Sequence, residues 1–305
     1  MLSVSLSIFL YFEFKNDFFN SENVYEYNVV KFGADGSDSK EDASSIQKAI
    51  DQANKDGGGN VYIPTGTYNI ESTIEVKSNV TLNLSKGAIL LPRRNVNVIH
   101  LRLDGSIQGG TINTYFVENY DSTAVYLEGK DRFLSGNHLT TISNIQIVGK
   151  RKGNGNAIHF YTKKNQDCIS WVHVSNLNIY GFDKAIYFKT TPVEQGNLNW
   201  INGNTFDQIH ISDSNYGIYL DGHDSVPYEI SGNSFNNIQI QLSERTKFGI
   251  YVKGTRNFFQ GTIWDNKFNN AVKFESDSYK NQLISNVSKR GLIDLGKQNS
   301  IITAE

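Results

Sequence analysis

Six short segments of the chain share one alternation of apolar and polar positions. They are AVYLEG from Ala124, AIHFYT from Ala157, AIYFKT from Ala185, GIYLDG from Gly217, GIYVKG from Gly249 and AVKFES from Ala271. Each reads small, aliphatic, polar or aromatic, aliphatic, polar or charged, which predicts a half-buried strand. Their starts lie 33, 28, 32, 32 and 22 residues apart, an imperfect repeat of the kind that buries a core only by stacking on its neighbours. A second phrase travels with the first: ISNIQI from Ile142, VSNLNI from Val174, FDQIHI from Phe206 and FNNIQI from Phe235. Its polar, Asn-rich middle suits a bend between two short strands, and Asn144, Asn176 and Asn237 read as a ladder that stabilises this turn. One turn of the repeat then holds a strand, a loop, a bent strand pair and a second loop. Stacked in parallel, such turns make an all-β, single-stranded parallel β-helix, a solenoid. After residue 57 no helical stretch is long enough for a βαβ crossover, which argues against a doubly wound sheet or a TIM barrel.

The N-terminal third differs. Ala43, Ile46, Ala49, Ile50 and Ala53 keep helical spacing between Asp42 and Gly57–Gly59, predicting a short amphipathic helix that caps the open apolar end of the stack. Short strands follow over Val61–Ile63, Thr73–Val76, Val80–Leu84 and Ala88–Leu91. The stretch Phe32-Gly33-Ala34-Asp35-Gly36, the helix, Gly57-Gly58-Gly59 and Val61-Tyr62-Ile63-Pro64-Thr65-Gly66-Thr67-Tyr68 closely resemble the start of the pectate lyase superfamily. So do Asn79-Val80-Thr81-Leu82, Gly87-Ala88-Ile89-Leu90 and Gly105–Ile112. That superfamily includes polygalacturonase-like hydrolases, rhamnogalacturonases and phage tailspikes. The resemblance implies a right-handed β-helix, and its specific part covers about the first 112 residues. The chain departs from the polygalacturonase pattern of Asn-Thr-Asp, Asp-Asp, Gly-His-Gly and Arg-Ile-Lys on successive coils. Asp183-Lys184, Asn215-Tyr216, Lys247-Phe248 and Asn269-Asn270 precede the repeated strands instead, so that mechanism does not carry over residue by residue.

Composition narrows the function. A net charge of −2 lacks the basic excess of a nucleic-acid binder. The single Cys168 excludes an internal disulfide framework and a cysteine metal cluster, and reads as a small hydrophobe inside the coil. Residues 1–22 open with an apolar run, MLSVSLSIFLYF, read as a degraded export signal or an apolar cap and as too short for a membrane span. The β-helix domain is expected over 23–305.

In each repeated strand the aliphatic positions point inward, which sends two columns outward. One column is Tyr126, His159, Tyr187, Tyr219, Tyr251 and Lys273; the other is Glu128, Tyr161, Lys189, Asp221, Lys253 and Glu275. A tyrosine column beside mixed charges suits a sugar polymer, whose rings present apolar faces to aromatics and hydroxyls to charged groups. Asp221, flanked by Lys189 and Lys253, is the first catalytic candidate, with those lysines as its partners. His159, Tyr161, Tyr187, Tyr219, Tyr251, Arg256 and Asp183 are the substrate-binding candidates. Hydrolysis needs a second carboxyl group at about 5 to 9.5 Å, for which Asp183, Asp213, Asp224 and Glu229 are available. Elimination from a uronate needs a base near C5 and cations to neutralise the substrate carboxylate. No cofactor is expected; Ca²⁺ would need an acidic cluster, and none is built for it. Lys150-Arg151-Lys152, His223-Asp224 and the aromatic segment Gly254–Asp265 are secondary candidates, the last expected as a loop covering the end of the stack. The sequence therefore points to a secreted, cell-surface or virion-associated protein that cleaves an acidic polysaccharide. Elimination is favoured over hydrolysis, with a non-catalytic glycan-binding module as the alternative outside enzymes.

Overall fold

The computed structural model describes residues 26–134, 136–151, 155–194, 196–223, 228–265 and 271–303. The apolar run at residues 1–22 lies outside them. Every ladder between the strands is parallel, and the strands pile into a right-handed β-helix, as the repeat predicts. Three sheets run along it. The first is formed by the second phrase, whose bent strands His173–Tyr180, Thr205–Ser212 and Ser234–Gln241 pair coil on coil. The second is built around the six repeated segments, Thr123–Glu128, Asn156–Thr162, Lys184–Thr190, Tyr216–Asp221, Phe248–Lys253 and Val272–Phe274, with Ile74–Val76 and Ile99–Leu101 before them and Leu292–Asp294 after. A small third sheet, absent from the sequence reading, holds Cys168–Ser170, Asn199–Asn202 and Tyr228–Ser231. It continues through single bridges at Thr255, Tyr279 and Lys297.

The helix α1, Ala43–Lys55, lays Ala43, Ile46, Ala49, Ile50 and Ala53 on the first coils, all of them buried. Buried Asp42 ties it down by accepting the Asp35 and Asn69 amides, each at 2.8 Å. Inside the stack like side chains sit on like. Phe160 stacks on Phe188 at 4.7 Å, Phe206 on Phe235 at 4.9 Å, and Phe235 on Phe259 at 5.0 Å. Cys168 is buried among these layers, and burial pushes its thiol up to about 11.

Two kinds of asparagine turn the corners. Asn144, Asn176 and Asn237 take left-handed φ of 59°, 54° and 51° at the bend of the first sheet. The Asn176 amide donates to Asn144 at 2.7 Å, but the ladder expected from the sequence stops there: Gln208 holds the next corner, and Asn237 donates to Asp207 at 2.8 Å. The second ladder was not anticipated. Asn204, Asn233, Asn257 and Asn281 stack at the corner between the third and first sheets, all fully buried. Each amide nitrogen donates to the side-chain oxygen of the next, at 2.9, 3.0 and 3.1 Å. Asn281 passes the chain on to Asn299 at 3.2 Å.

One element corrects the sequence reading. Gly254–Asp265 is not a covering loop: Phe258–Trp264 is a strand of the first sheet, between Ser234–Gln241 and Gln282–Ser285. A register shift at Gly261 makes room for one residue fewer than in the coils before it. A Cβ at Gly261 would lie 1.9 Å from the Ile238 carbonyl oxygen, which only glycine avoids.

Candidate functional site

The outer surface of the second sheet carries both predicted columns in register. Tyr126 pairs with His159, His159 with Tyr187, Tyr187 with Tyr219, Tyr219 with Tyr251, and Tyr251 with Lys273. Beside them Glu128 pairs with Tyr161, Tyr161 with Lys189, Lys189 with Asp221, and Asp221 with Lys253. Period two explains both lines, since Ile218 and Leu220 are wholly buried while Tyr219 and Asp221 face outward, partly exposed.

The rings form a continuous platform. Tyr219 and Tyr251 stack face to face at 4.6 Å and 4°. Tyr187 meets Tyr219 edge-on at 5.4 Å, and Tyr216 meets Tyr219 edge-on at 4.7 Å. Burial raises the phenols of Tyr187, Tyr219 and Tyr251, helped by the charge of Asp221; that of Tyr219 is pushed up to about 12. In neutral water they stay protonated and can donate.

Charge is laid over this platform. The Asp221 carboxylate sits 3.4 Å from Lys253 Nζ, and about 30% of each side chain is exposed. The Lys273 ammonium is 2.5 Å from Glu275, which also accepts from the Tyr251 hydroxyl at 2.8 Å. Burial works against the Glu275 charge, but these two donors overcome it and hold its carboxyl below the usual range. Three residues that sequence reading did not single out for the site complete it. Lys184 pairs with Asp183 and lies 5.0 Å from the Tyr187 ring and 5.5 Å from that of Tyr219. Tyr216 packs on the column, and Lys247 lies 5.5 Å from its ring. The position immediately before the repeated strand, occupied by Lys184, Tyr216 and Phe248, was the signal.

Of the sequence candidates, Asp221, Lys189, Lys253, Tyr187, Tyr219 and Tyr251 share this surface. Asp183 joins them through Lys184, and its carboxylate accepts from Asn215 at 2.9 Å. Tyr161 stands in the charged column, within 5.6 Å of the His159 ring. His159 is packed away: its ring stacks on Tyr187 at 4.4 Å and tilts against Tyr126. Its Nε2 is buried with no hydrogen-bond partner, so the ring is a filler of the platform rather than an open contact. Arg256 is elsewhere. Its left-handed backbone lies past the third sheet, and its guanidinium sits 5.9 Å from the Tyr279 ring. Lys253 and Arg256 look adjacent in sequence, but the chain turns a corner between them. Arg151 is taken up by Asp213 and the Tyr180 ring, and Glu229 belongs to the third sheet. Lys152, Asp224 and Asn269-Asn270 lie outside the described residues. Among the described residues no group of three or more His, Cys, Asp or Glu could hold a metal ion.

The buried imidazole gives a pH test of this packing. Burial first, then Lys189 and Lys184, lower the His159 pKa to about 3, whereas an unfolded histidine titrates near 6.5. Between those values the unfolded chain binds the extra proton, so stability falls as pH falls. Between pH 6 and pH 4 this residue alone costs about 1.4 kcal/mol per pH unit. His159→Phe, which keeps a stacking ring, is expected to flatten that slope in urea melts taken at several pH values. A slope identical to that of the parent protein would mean that His159 is not held neutral.

Comparison with known proteins agrees with this architecture. Residues 27–90 match the family described as "Rhamnogalacturonase A/epimerase, pectate lyase-like". Alginate lyase 7 of Azotobacter vinelandii is 32% identical over 169 residues, 52% of this chain and 18% of that protein. Mannuronan C5-epimerase AlgE6 of the same organism is 31% identical over 162 residues, again 52% of this chain and 17% of that protein. The chain thus spans less than a fifth of the length of these relatives. The solved structure of the Streptococcus pneumoniae surface protein and adhesin PfbA superposes with a TM-score of 0.50 at 15% identity, covering 90% of this chain and 91% of that one. Over residues 27–90 the chain is thus similar to pectate lyase-like proteins, and it has the parallel β-helix fold.

Proposed function

We propose that the protein binds an acidic, uronate-containing polysaccharide along the tyrosine–lysine surface of the second sheet and cleaves it by β-elimination. The observation that carries this reading is the line Lys189–Asp221–Lys253 beside the line Tyr187–Tyr219–Tyr251. Sugar rings lie on the phenol platform, and the two lysines neutralise the carboxylate of the uronate held there. Neutralisation makes the neighbouring C5 hydrogen acidic enough for removal. Asp221 takes that proton, the electron pair becomes the C4–C5 double bond, and the C4–oxygen bond breaks. The Tyr219 phenol, held protonated, gives its proton to the departing oxygen. The products are an unsaturated uronate at one new end and a reducing sugar at the other.

Two relatives support the choice of elimination over hydrolysis, since they are named as an alginate lyase and a mannuronan C5-epimerase. Hydrolysis would need a second carboxylate beside Asp221, yet its register neighbours are lysines on both sides. The reading also places the protein outside the cell or on its surface, where such polymers are. Because lysines supply the neutralising charge, a chelator is expected to leave the activity unchanged.

A second reading, glycan binding without turnover, is favoured by one observation: Asp221, Asp183 and Glu275 are all ion-paired. Plasmin and fibronectin-binding protein A of Streptococcus pneumoniae, 29% identical over 163 residues, is a relative named for binding two proteins rather than for turnover. Incubation with alginate, polygalacturonate and neutral polysaccharides separates the readings. Rising ultraviolet absorbance of unsaturated uronate together with reducing ends is the expected result. Reducing ends alone would establish hydrolysis, and binding with neither signal would establish the non-catalytic module.

A further inference from the structure

The bend in the first sheet makes a groove that the acidic-glycan surface does not use. At Asn144, Asn176, Gln208 and Asn237 a single left-handed residue turns each bent strand sharply, so the stacked corners form one concave channel along the axis. Two open hollows lie in it. One, of about 440 Å³, is lined by Lys86, Gly109–Thr111, Asn144–Gln146 and Asn178; the other, of about 510 Å³, by Asn237–Gln239, Gln260–Thr262 and Ile284. Both fall in the size range of ligand sites.

One column runs the length of the channel in unbroken register: Thr111, Gln146, Asn178, His210, Gln239 and Thr262. Gln146, Asn178, His210 and Gln239 are exposed, and among the described residues the one hydrogen-bond partner of these four side chains is Trp264, whose Nε1 donates to Gln239 at 3.1 Å. The column therefore offers hydroxyl- and amide-type donors and acceptors, with an imidazole among them, at steps of about 4.8 Å. That step is close to the length of a pyranose ring in an extended chain. Trp264, 49% exposed, and Ile302, 60% exposed, give the C-terminal end an apolar floor.

We propose that this channel binds a neutral, hydroxyl-rich glycan chain lying along the helix axis, at a second site independent of the tyrosine–lysine surface. Charge decides the class of ligand. The column carries no carboxylate and no lysine or arginine, whereas the other surface lines up Lys189, Asp221 and Lys253. An acidic polymer would find one cation, Lys86 at the N-terminal hollow, and none along the column itself. A paired hydroxyl edge, by contrast, is matched by side chains that donate and accept, and an apolar sugar face by the Trp264 ring. A second copy of the chain fits less well, because the apolar residues are confined to one end while a protein interface needs an apolar core.

The test is titration calorimetry of the full chain with cellohexaose, mannohexaose and a hexameric oligouronate. Trp264→Ala, Gln239→Ala and Lys253→Ala are compared, and circular dichroism checks their fold. The expected result is binding of at least one neutral hexaose, weakened about tenfold or more by Trp264→Ala and by Gln239→Ala, and unchanged by Lys253→Ala. Oligouronate binding should show the opposite dependence. Neutral binding that is lost equally in Lys253→Ala would mean one shared site and would overturn the proposal. So would the absence of any neutral binding, including the case in which sedimentation shows self-association abolished by Trp264→Ala. A failure of oligouronate binding alone would count against the tyrosine–lysine surface and leave the channel standing.

Discussion

Asp221→Asn is expected to reduce polysaccharide cleavage by about 10³-fold, within the range set by removing a general base, while the protein still binds the polymer. The substitution keeps the side chain's shape and its place between Lys189 and Lys253, and removes the charge that accepts the proton. Binding should hold or tighten, because Lys253 loses its partner at 3.4 Å and becomes available to a uronate. Lys189→Ala and Lys253→Ala should act differently, by weakening binding of the acidic polymer and of its transition state together. An exposed ion pair contributes only about 0–1 kcal/mol to folding, so none of the three variants should unfold, and thermal melts check this. Turnover unchanged in all three would remove this surface from consideration as the catalytic site. Turnover lost with binding intact in Asp221→Asn alone would identify the base.

The largest expected effect on stability lies at the buried asparagine ladder. The Asn257 amide nitrogen donates to the Ile230 carbonyl at 3.1 Å and to Asn281, while its oxygen accepts both the backbone and side-chain amides of Asn233. Asn257→Ala removes these bonds at once and leaves the Asn233 backbone N–H buried without a partner, while the Ile230 oxygen keeps only the Thr255 amide at 2.9 Å. The orphaned N–H costs about 1–3 kcal/mol and each other lost bond about 1 kcal/mol, so a loss of about 3 kcal/mol is expected in urea unfolding. Asn144→Ala, at an exposed corner, should cost about 1 kcal/mol or less. Equal losses would show that turn geometry, rather than the buried amide chain, holds the corners.

Where alternation alone decides a side chain's direction, the sequence was readable. Tyr187, Tyr219 and Asp221 fell into their lines because parallel pairing repeats the pleat from coil to coil. Corners were less legible. The buried asparagines occupy one position per coil, and their separations of 29, 24, 24 and 18 residues follow loop length rather than a period. Arg256 was misplaced for the same reason, since a single left-handed residue redirects the chain without any change in composition. The strand Phe258–Trp264 was hidden by Gly261, which shortens its coil and breaks the match to the second phrase. His159 has the chemistry of a site residue, but its ring neighbours come from other coils, and only the stack reveals that it is enclosed. Lys184 and Tyr216 stand just ahead of the repeated phrase, where Lys, Tyr and Phe alternate from coil to coil and no shared residue type marks the position.

The ring spacings inside and outside the stack have a shared origin. Phe160 on Phe188 is separated by 4.7 Å within, and His159 on Tyr187 by 4.4 Å without, on the same two strands. Interior packing therefore sets the pitch at which outward residues are presented, and those residues contribute little to setting it. Outward positions can then be exchanged one at a time with the scaffold unmoved. A lineage built this way is free to change its polymer without rebuilding its frame. Descent can be legible in the interior long after the exterior has been rewritten for another chemistry.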